Sequence, residues 1–251
     1  ELVAALDGQL SAQQRVHVLW SLKRLNRLSH EQLIAASRNE DSIVRNHAMR
    51  ILSETKDWSD KLIEADIRGL DDEAAMVRRA AADAAAQHPQ SELVEPVLML
   101  LLSTPESDKH LRHTLLIALR NQLQVQGAFK HLRRAKLSEP QQQLVASAAL
   151  GVKSREAGAW LLYAVEHVAI DPAQMNDVLK AAAANISKED ADQLARVVRK
   201  RLGGDIDLQL SLLKSVRDGL RQQGFGESGE LRDWAAELAG LLLKSNDPNS
   251  L

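Results

Sequence analysis

Asp41-Ser-Ile-Val-Arg45-Asn-His-Ala-Met-Arg-Ile-Leu52 is the stretch whose reading decides the fold class. An aspartate four residues ahead of an arginine sits where a helix begins, because its side-chain oxygen can take one of the free N–H groups of the first turn. Behind it, Val44, Ala48, Met49 and Leu52 fall at the three- and four-residue spacing that lines one face of a helix. The frame returns three times: Ser11 to Leu22 around Arg15, Ala74 to Ala85 around Arg78, and Asp108 to Leu119 around Arg112. The four arginines are separated by 30, 33 and 34 residues. Ser11 and Asp108 hold the same capping position as Asp41; the third copy has Ala74 there, with Asp71 and Asp72 slightly earlier. Gln14 departs from the pattern, standing where the other copies have an apolar residue before the arginine.

Working outward, each of the last three copies follows a shorter amphipathic segment, at 30–38, 60–70 and 91–103. The unit is therefore helix, short turn, helix. One such hairpin cannot bury its apolar face alone, whereas stacked hairpins bury it between neighbours. The expectation is an all-α chain, an α-α superhelix or α-solenoid of about six or seven helical hairpins. Regular repeats should span 1–126 and an irregular connector 127–137, where Gly127 precedes the basic run Lys130 to Lys136. Divergent repeats should fill 138–245, with helices at 140–150, 155–168, 172–185, 188–202, 206–223 and 229–243, and a linker-like tail 246–251. Asp171-Pro172 reads as a cap followed by proline in the first turn. Gly151, Gly203-Gly204 and Gly224 read as helix closers. A half-pair around Leu2–Leu6, a start at Glu1 and the polar tail together suggest a piece of a longer protein.

Composition narrows the chemistry. Of 251 residues, 45% are hydrophobic and only 3% aromatic, and Lys plus Arg at 32 against Asp plus Glu at 34 leaves a formal net charge of −2. That is the composition of a folded chain, biased to helix. No cysteine is present, which excludes disulfides, thiolate metal sites, covalent haem attachment and cysteine nucleophiles in this chain. No run of about 18 apolar residues offers a membrane span. Phosphate-cradling glycine loops, nucleophile elbows and the His-Glu-x-x-His pattern are also absent.

The Asp-x-x-Val-Arg-x-x-Ala core at Asp41–Ala48 resembles HEAT repeats. Four stretches, Arg15–Leu22, Val44–Leu52, Leu111–Arg120 and Ala149–Ala157, are further similar to the middle scaffold of large bacterial proteins of planctomycetes and verrucomicrobia. Those proteins join a dehydrogenase-like β-propeller, a HEAT middle and a C-terminal haem-binding cytochrome c module. The resemblance spans roughly Ser11 to Leu243, and it implies a scaffold that positions neighbouring domains, with an exported or periplasmic setting. No Cys-x-x-Cys-His occurs, so no haem module lies in this chain, and no catalytic residue carries over.

The candidate sites are few, and each has a plainer structural reading. Arg15, Arg45, Arg78 and Arg112 could bind phosphate, but a ladder in which each guanidinium pairs with an acid or helix end of the next repeat explains them better. Asp41 and Asp108 read as caps. His17 and His47 share one repeat position and could form a polar pair on the inner face; a metal would need further ligands that the register does not supply. His110 and His113 read as surface residues. The basic runs 130–136 and 196–201 read as solvated faces, because a nucleic-acid binder needs net positive charge. Trp20 and Trp160 read as core, while Asp57-Trp58 and Asp233-Trp234 are the only pairs that could imitate a HEAT-like DNA glycosylase. The expectation is a non-catalytic scaffold with no catalytic, cofactor or metal site in this segment and a protein partner or adjacent domains as ligand. A DNA glycosylase or other nucleic-acid-binding solenoid is the alternative, and a lyase-type solenoid acting on a chromophore has no residue to support it.

Overall fold

The computed structural model describes residues 6, 8–201 and 206–245. The expected half-pair around Leu2–Leu6 (Leu6 apart), the Gly203-Gly204 closer and the 246–251 tail lie outside the described residues. Among the described residues there are fourteen α-helices, two short 3-10 turns and no strand, so the protein is all-α. The helices are α1 Ala12–Arg24, α2 His30–Ala36, α3 Ser42–Ser53, α4 Asp60–Leu70, α5 Ala75–Gln87, α6 Val94–Ser103 and α7 Lys109–Gln122. They continue with α8 Ala128–Arg134, α9 Glu139–Ala149, α10 Arg155–His167, α11 Met175–Ala183, α12 Lys188–Arg201, α13 Ile206–Gln222 and α14 Gly229–Ser245.

The chain divides into two compact units, Glu1–Ala128 and Phe129–Leu251. In the first, the repeat helices α1, α3, α5 and α7 pack successively on one another, and α2, α4 and α6 form a second row beside them. Each helix of the second row also packs on the repeat helix that follows it. This is the two-row stacking of an α-solenoid, and it buries the predicted stripes: Val44, Ala48 and Leu52 are fully enclosed, as are Ala81, Ala82 and Ala85. In the second unit, α10, α12 and α14 form one row, α11 packs on α13, and α9 on α10.

Local chemistry sets the helix starts. Ser11 and Gln14 make a reciprocal capping box, which explains the departure at Gln14: the position serves the helix end, not the core. Ser29 with Gln32 and Ser138 with Gln141 repeat the device. Asp41 accepts from the N–H of Ile43 at 2.8 Å, and Asp108 from that of Leu111 at 3.0 Å.

One boundary needs correcting. The stretch 127–137 was expected to be an irregular connector, but α8 occupies most of it. Ala128, Phe129 and Leu132 are buried, and their spacing gives the basic run one apolar side on which to fold. Only Gly127, with φ +85°, and the residues after Arg134 are irregular.

Candidate functional site

The four repeat arginines have one shared task, and it is not the expected one. Arg78 donates to the carbonyls of Asp72 and Glu73, and Arg45 to those of Asn39 and Glu40, each at six and five residues back. Arg112 reaches the carbonyls of Leu101 and Thr104, and Arg15 those of Leu6 and Gly8. Each guanidinium thus closes the carbonyl-rich turn that precedes its own helix. Only Arg45 adds the expected rung to the next repeat: its Nε and Nη2 grip the two oxygens of Asp72 at 2.7 and 2.9 Å. The ladder expectation is corrected for the other three, because the bare carbonyls of the turn lie closer than any acid of the next hairpin. Partial burial raises the pKa of Asp72, but the Arg45 hydrogen bond, the Ala74 N–H and the Arg45 and Arg78 charges outweigh that and hold it below the ordinary value. The Asp72 hydrogen bond in turn raises Arg45.

Repeats are tied together at the opposite end. Stacked helices of one row bring their C-terminal carbonyls side by side, and side-chain donors bridge them. Lys23 in the last turn of α1 donates to the carbonyl of Glu54, at the end of α3. Ring Nε2 of His88, after α5, meets the carbonyl of Ser53 at 2.8 Å. Buried Gln122 at the end of α7 donates to Ala85 and accepts from the N–H of Gln90, and Asn121 donates to Ala86. Gln223 does the same for Ala183 and Ile186 in the second unit. These residues carried no repeat signature, because donors of different chemistry fill the position.

His17 and His47 do not pair. His47 accepts a hydrogen bond at Nδ1 from the Trp20 indole, 3.0 Å away, which joins α1 to α3. Burial, then the Arg50 and His17 charges, lower its pKa and keep it neutral. His17, His110 and His113 are exposed. Among the described residues no group of three or more histidines, aspartates or glutamates comes close enough to hold a metal ion. Trp58 stacks on His88 at 4.5 Å and donates to the carbonyls of Leu52 and Thr55. Buried Trp234 donates to Gln209. Both tryptophans of the glycosylase-like pairs therefore anchor local structure. In the 196–201 run, Arg196 and Arg199 pair with Glu230, and Arg199 also with Glu237.

Two features escaped the sequence. Asp66 in α4 is completely buried and neither carboxylate oxygen has a hydrogen-bond partner. Burial pushes its pKa well up, so it is a neutral acid in the core. The second feature is a groove in the second unit. Phe129 of α8 touches the Trp160 ring of α10, on which α12 also packs, and two adjoining hollows of about 630 and 510 Å³ open among the three helices. They share Arg133, Ala159 and Asp190, and Leu132, Trp160 and Tyr163 line the second.

Comparison with known proteins adds no assignment. No protein-family model matches the chain, and no curated protein is similar to it.

Among the described residues no helix is long and apolar enough to cross a membrane.

Proposed function

We propose that the chain is a non-catalytic helical-repeat scaffold of HEAT type, holding a protein partner or the neighbouring domains of a longer protein. The observation that carries this reading is the use of Arg15, Arg45, Arg78 and Arg112. All four close the turns of their own hairpins, so the signature residues of the repeat build the frame and none is left to recognise phosphate. What varies from repeat to repeat is the exposed side. Ile43 and Met76 hold the same position, two residues before the arginine, and both are exposed large apolar side chains. Arg50 and Arg79 flank exposed Asp83, and Arg79 also approaches Asp108 at 3.6 Å. An exposed apolar pair beside charged groups suits a protein partner. The resemblance to the propeller, HEAT and cytochrome c proteins makes an electron-carrying parent the natural setting, in which this segment would space the two outer modules.

The test is site-specific cross-linking in the source cell. A photo-reactive residue at Ile43 or Met76 should trap the same protein, or another part of the same polypeptide, from both positions. R50E and R79E should abolish that product while the helical circular dichroism stays unchanged. Capture of no protein from either position, or firm salt-sensitive retardation of duplex DNA by the purified chain, overturns the reading.

A further inference from the structure

Charge is sorted between the two rows of the first unit. The repeat helices α1, α3, α5 and α7 carry ten lysines and arginines and one acid, Asp83. Helices α2, α4 and α6 reverse the balance, with five acids and two basic residues. The formal net charge of −2 hides this division. Five of the ten cations are occupied, since the four repeat arginines close turns and Lys23 bridges to the end of α3. The others include Arg50 and Arg79, both exposed.

These two arginines belong to one patch. Counted from each repeat arginine, Ile43 and Met76 stand at −2, Arg79 at +1, His17 and His47 at +2, and Arg50 and Asp83 at +5. On a helix those positions fall on the side opposite the buried stripe at −1, +3, +4 and +7. Electrostatic contact joins them across repeats. His47 feels the charges of Arg50 and His17, Asp83 those of Arg79 and Arg50, and Arg79 also approaches Asp108 at 3.6 Å. His47 accepts at Nδ1 from the Trp20 indole, which in the neutral ring leaves the proton on Nε2 as a donor. The patch is thus rich in donors, and its carboxylate, Asp83, already has two arginines near it. Two exposed apolar side chains, Ile43 and Met76, stand among these groups.

We propose that this face holds an acidic segment of a partner protein, its carboxylates on His47, Arg50 and Arg79 and its apolar side chains on Ile43 and Met76. The choice of occupant follows from complementarity of charge and of apolar surface. Carboxylates supply the acceptors that the face lacks, with charge opposite to the excess of its row. Nucleic acid has acceptors too, but its phosphates are repelled by Asp83 and offer nothing apolar to Ile43 and Met76. A basic segment is repelled by both arginines. The inference rests on the protein-binding reading and names the chemistry of the partner.

The Trp20 indole signal provides the test, because that N–H is bonded to His47. In ¹⁵N-labelled protein it is the indole resonance missing from W20F. The probe is the blocked hexapeptide acetyl-Glu-Glu-Leu-Glu-Glu-Leu-amide, compared with its glutamine counterpart and with a short DNA duplex. The expected result is a saturable shift of the Trp20 signal by the acidic peptide, lost when NaCl is raised from about 0.05 to about 0.5 M. R50A and R79A should each weaken the peptide by about fivefold to tenfold, as loss of one hydrogen bond to a charged group predicts. K61A, in the acidic row, should leave binding unchanged, and circular dichroism checks that all three variants stay helical. An unmoved Trp20 signal, indifference to both R50A and R79A, an equal loss in K61A, or equal binding of the glutamine peptide overturns the proposal. So does tighter binding of the duplex than of the peptide, or self-association of the chain that R50A and R79A abolish, since the occupant is then nucleic acid or a second copy. If the acidic peptide fails while cross-links at Ile43 and Met76 persist, the scaffold reading stands and only the partner's charge is wrong; if the cross-links fail as well, both fall.

Discussion

Asp66 and Asp72 sit six residues apart and titrate in opposite senses, because one is buried without a partner and the other is gripped by Arg45. For Asp66 the folded state resists ionisation, so the stability that its neutral form provides is present below the unfolded carboxylate value of about 4 and is lost as pH rises toward the elevated folded value. Asn at this position takes no charge. The advantage of D66N over the natural protein should therefore grow above pH about 4, at up to about 1.4 kcal/mol per pH unit, in urea unfolding measured from pH 4 to 8. A difference that is flat across that range rules out a neutral buried acid. Asp72 is depressed, so its contribution is present above about pH 4 and is lost as pH falls through its folded value. Its pair with Arg45 is nearly enclosed, with side-chain exposures of 10% and 11%, and D72N removes that charge while Arg45 keeps the carbonyls of Asn39 and Glu40. The same titration should show D72N less stable by about 1–2 kcal/mol at neutral pH, with the deficit closing in acid. Of these two aspartates, Asp72 drew notice in the sequence as a displaced cap; Asp66 looked like one more charge on an amphipathic helix.

At the scale of the element, the helices were legible almost to the residue. The expected 60–70 is α4 itself, and 155–168 and 206–223 each overrun α10 and α13 by one residue. The reason is local: Ser, Asp and Pro at the starts, and Gly or Asn at the stops, act through their own backbone. Gly224, for instance, takes φ +73° after α13, and the N–H of Phe225 returns to the carbonyl of Leu220. The bridging of C-terminal carbonyls between repeats was not legible, since no one residue type fills the role: Lys23, His88 and the glutamines Gln122 and Gln223 all serve it. Burial separates these bridges in strength. Gln122 is fully enclosed, and Q122A leaves the N–H of Gln90 and the carbonyl of Ala85 without it, so it should cost about 2–3 kcal/mol. Lys23 is only half-buried and its ammonium stays within reach of water, so K23A should cost less, about 1 kcal/mol, by the same denaturant measurement. Equal effects would mean that these contacts do not hold the repeats together. Close approach adds a further constraint: a Cβ on Gly158 of α10 would come within 2.5 Å of the Asn185 backbone, so that crossing admits no larger residue.

For the whole molecule, each of the two units has its own enclosed core. Leu19, Met49, Leu62, Leu98 and Leu115 are buried in the first; Phe129, Leu161, Leu179, Leu194 and Trp234 in the second. A stretch of this length with its own core can fold alone. The fragment 1–128 expressed by itself should therefore be helical by circular dichroism and should melt in a single cooperative transition. A gradual, non-cooperative loss of signal would show that its hairpins depend on the rest of the chain. The sequence alone determined the fold class, the repeat and the helix limits, because periodicity and capping are properties of neighbours along the chain. Only the tertiary structure decided what the arginines hold, that His47 serves Trp20, that 128–134 is a helix, that Asp66 lies neutral in the core, and that Trp160, Arg133 and Asp190 meet at one groove. Those outcomes depend on which side chains arrive beside each other after stacking, and the spacing of residues along one helix carries no record of the partner that the next helix brings.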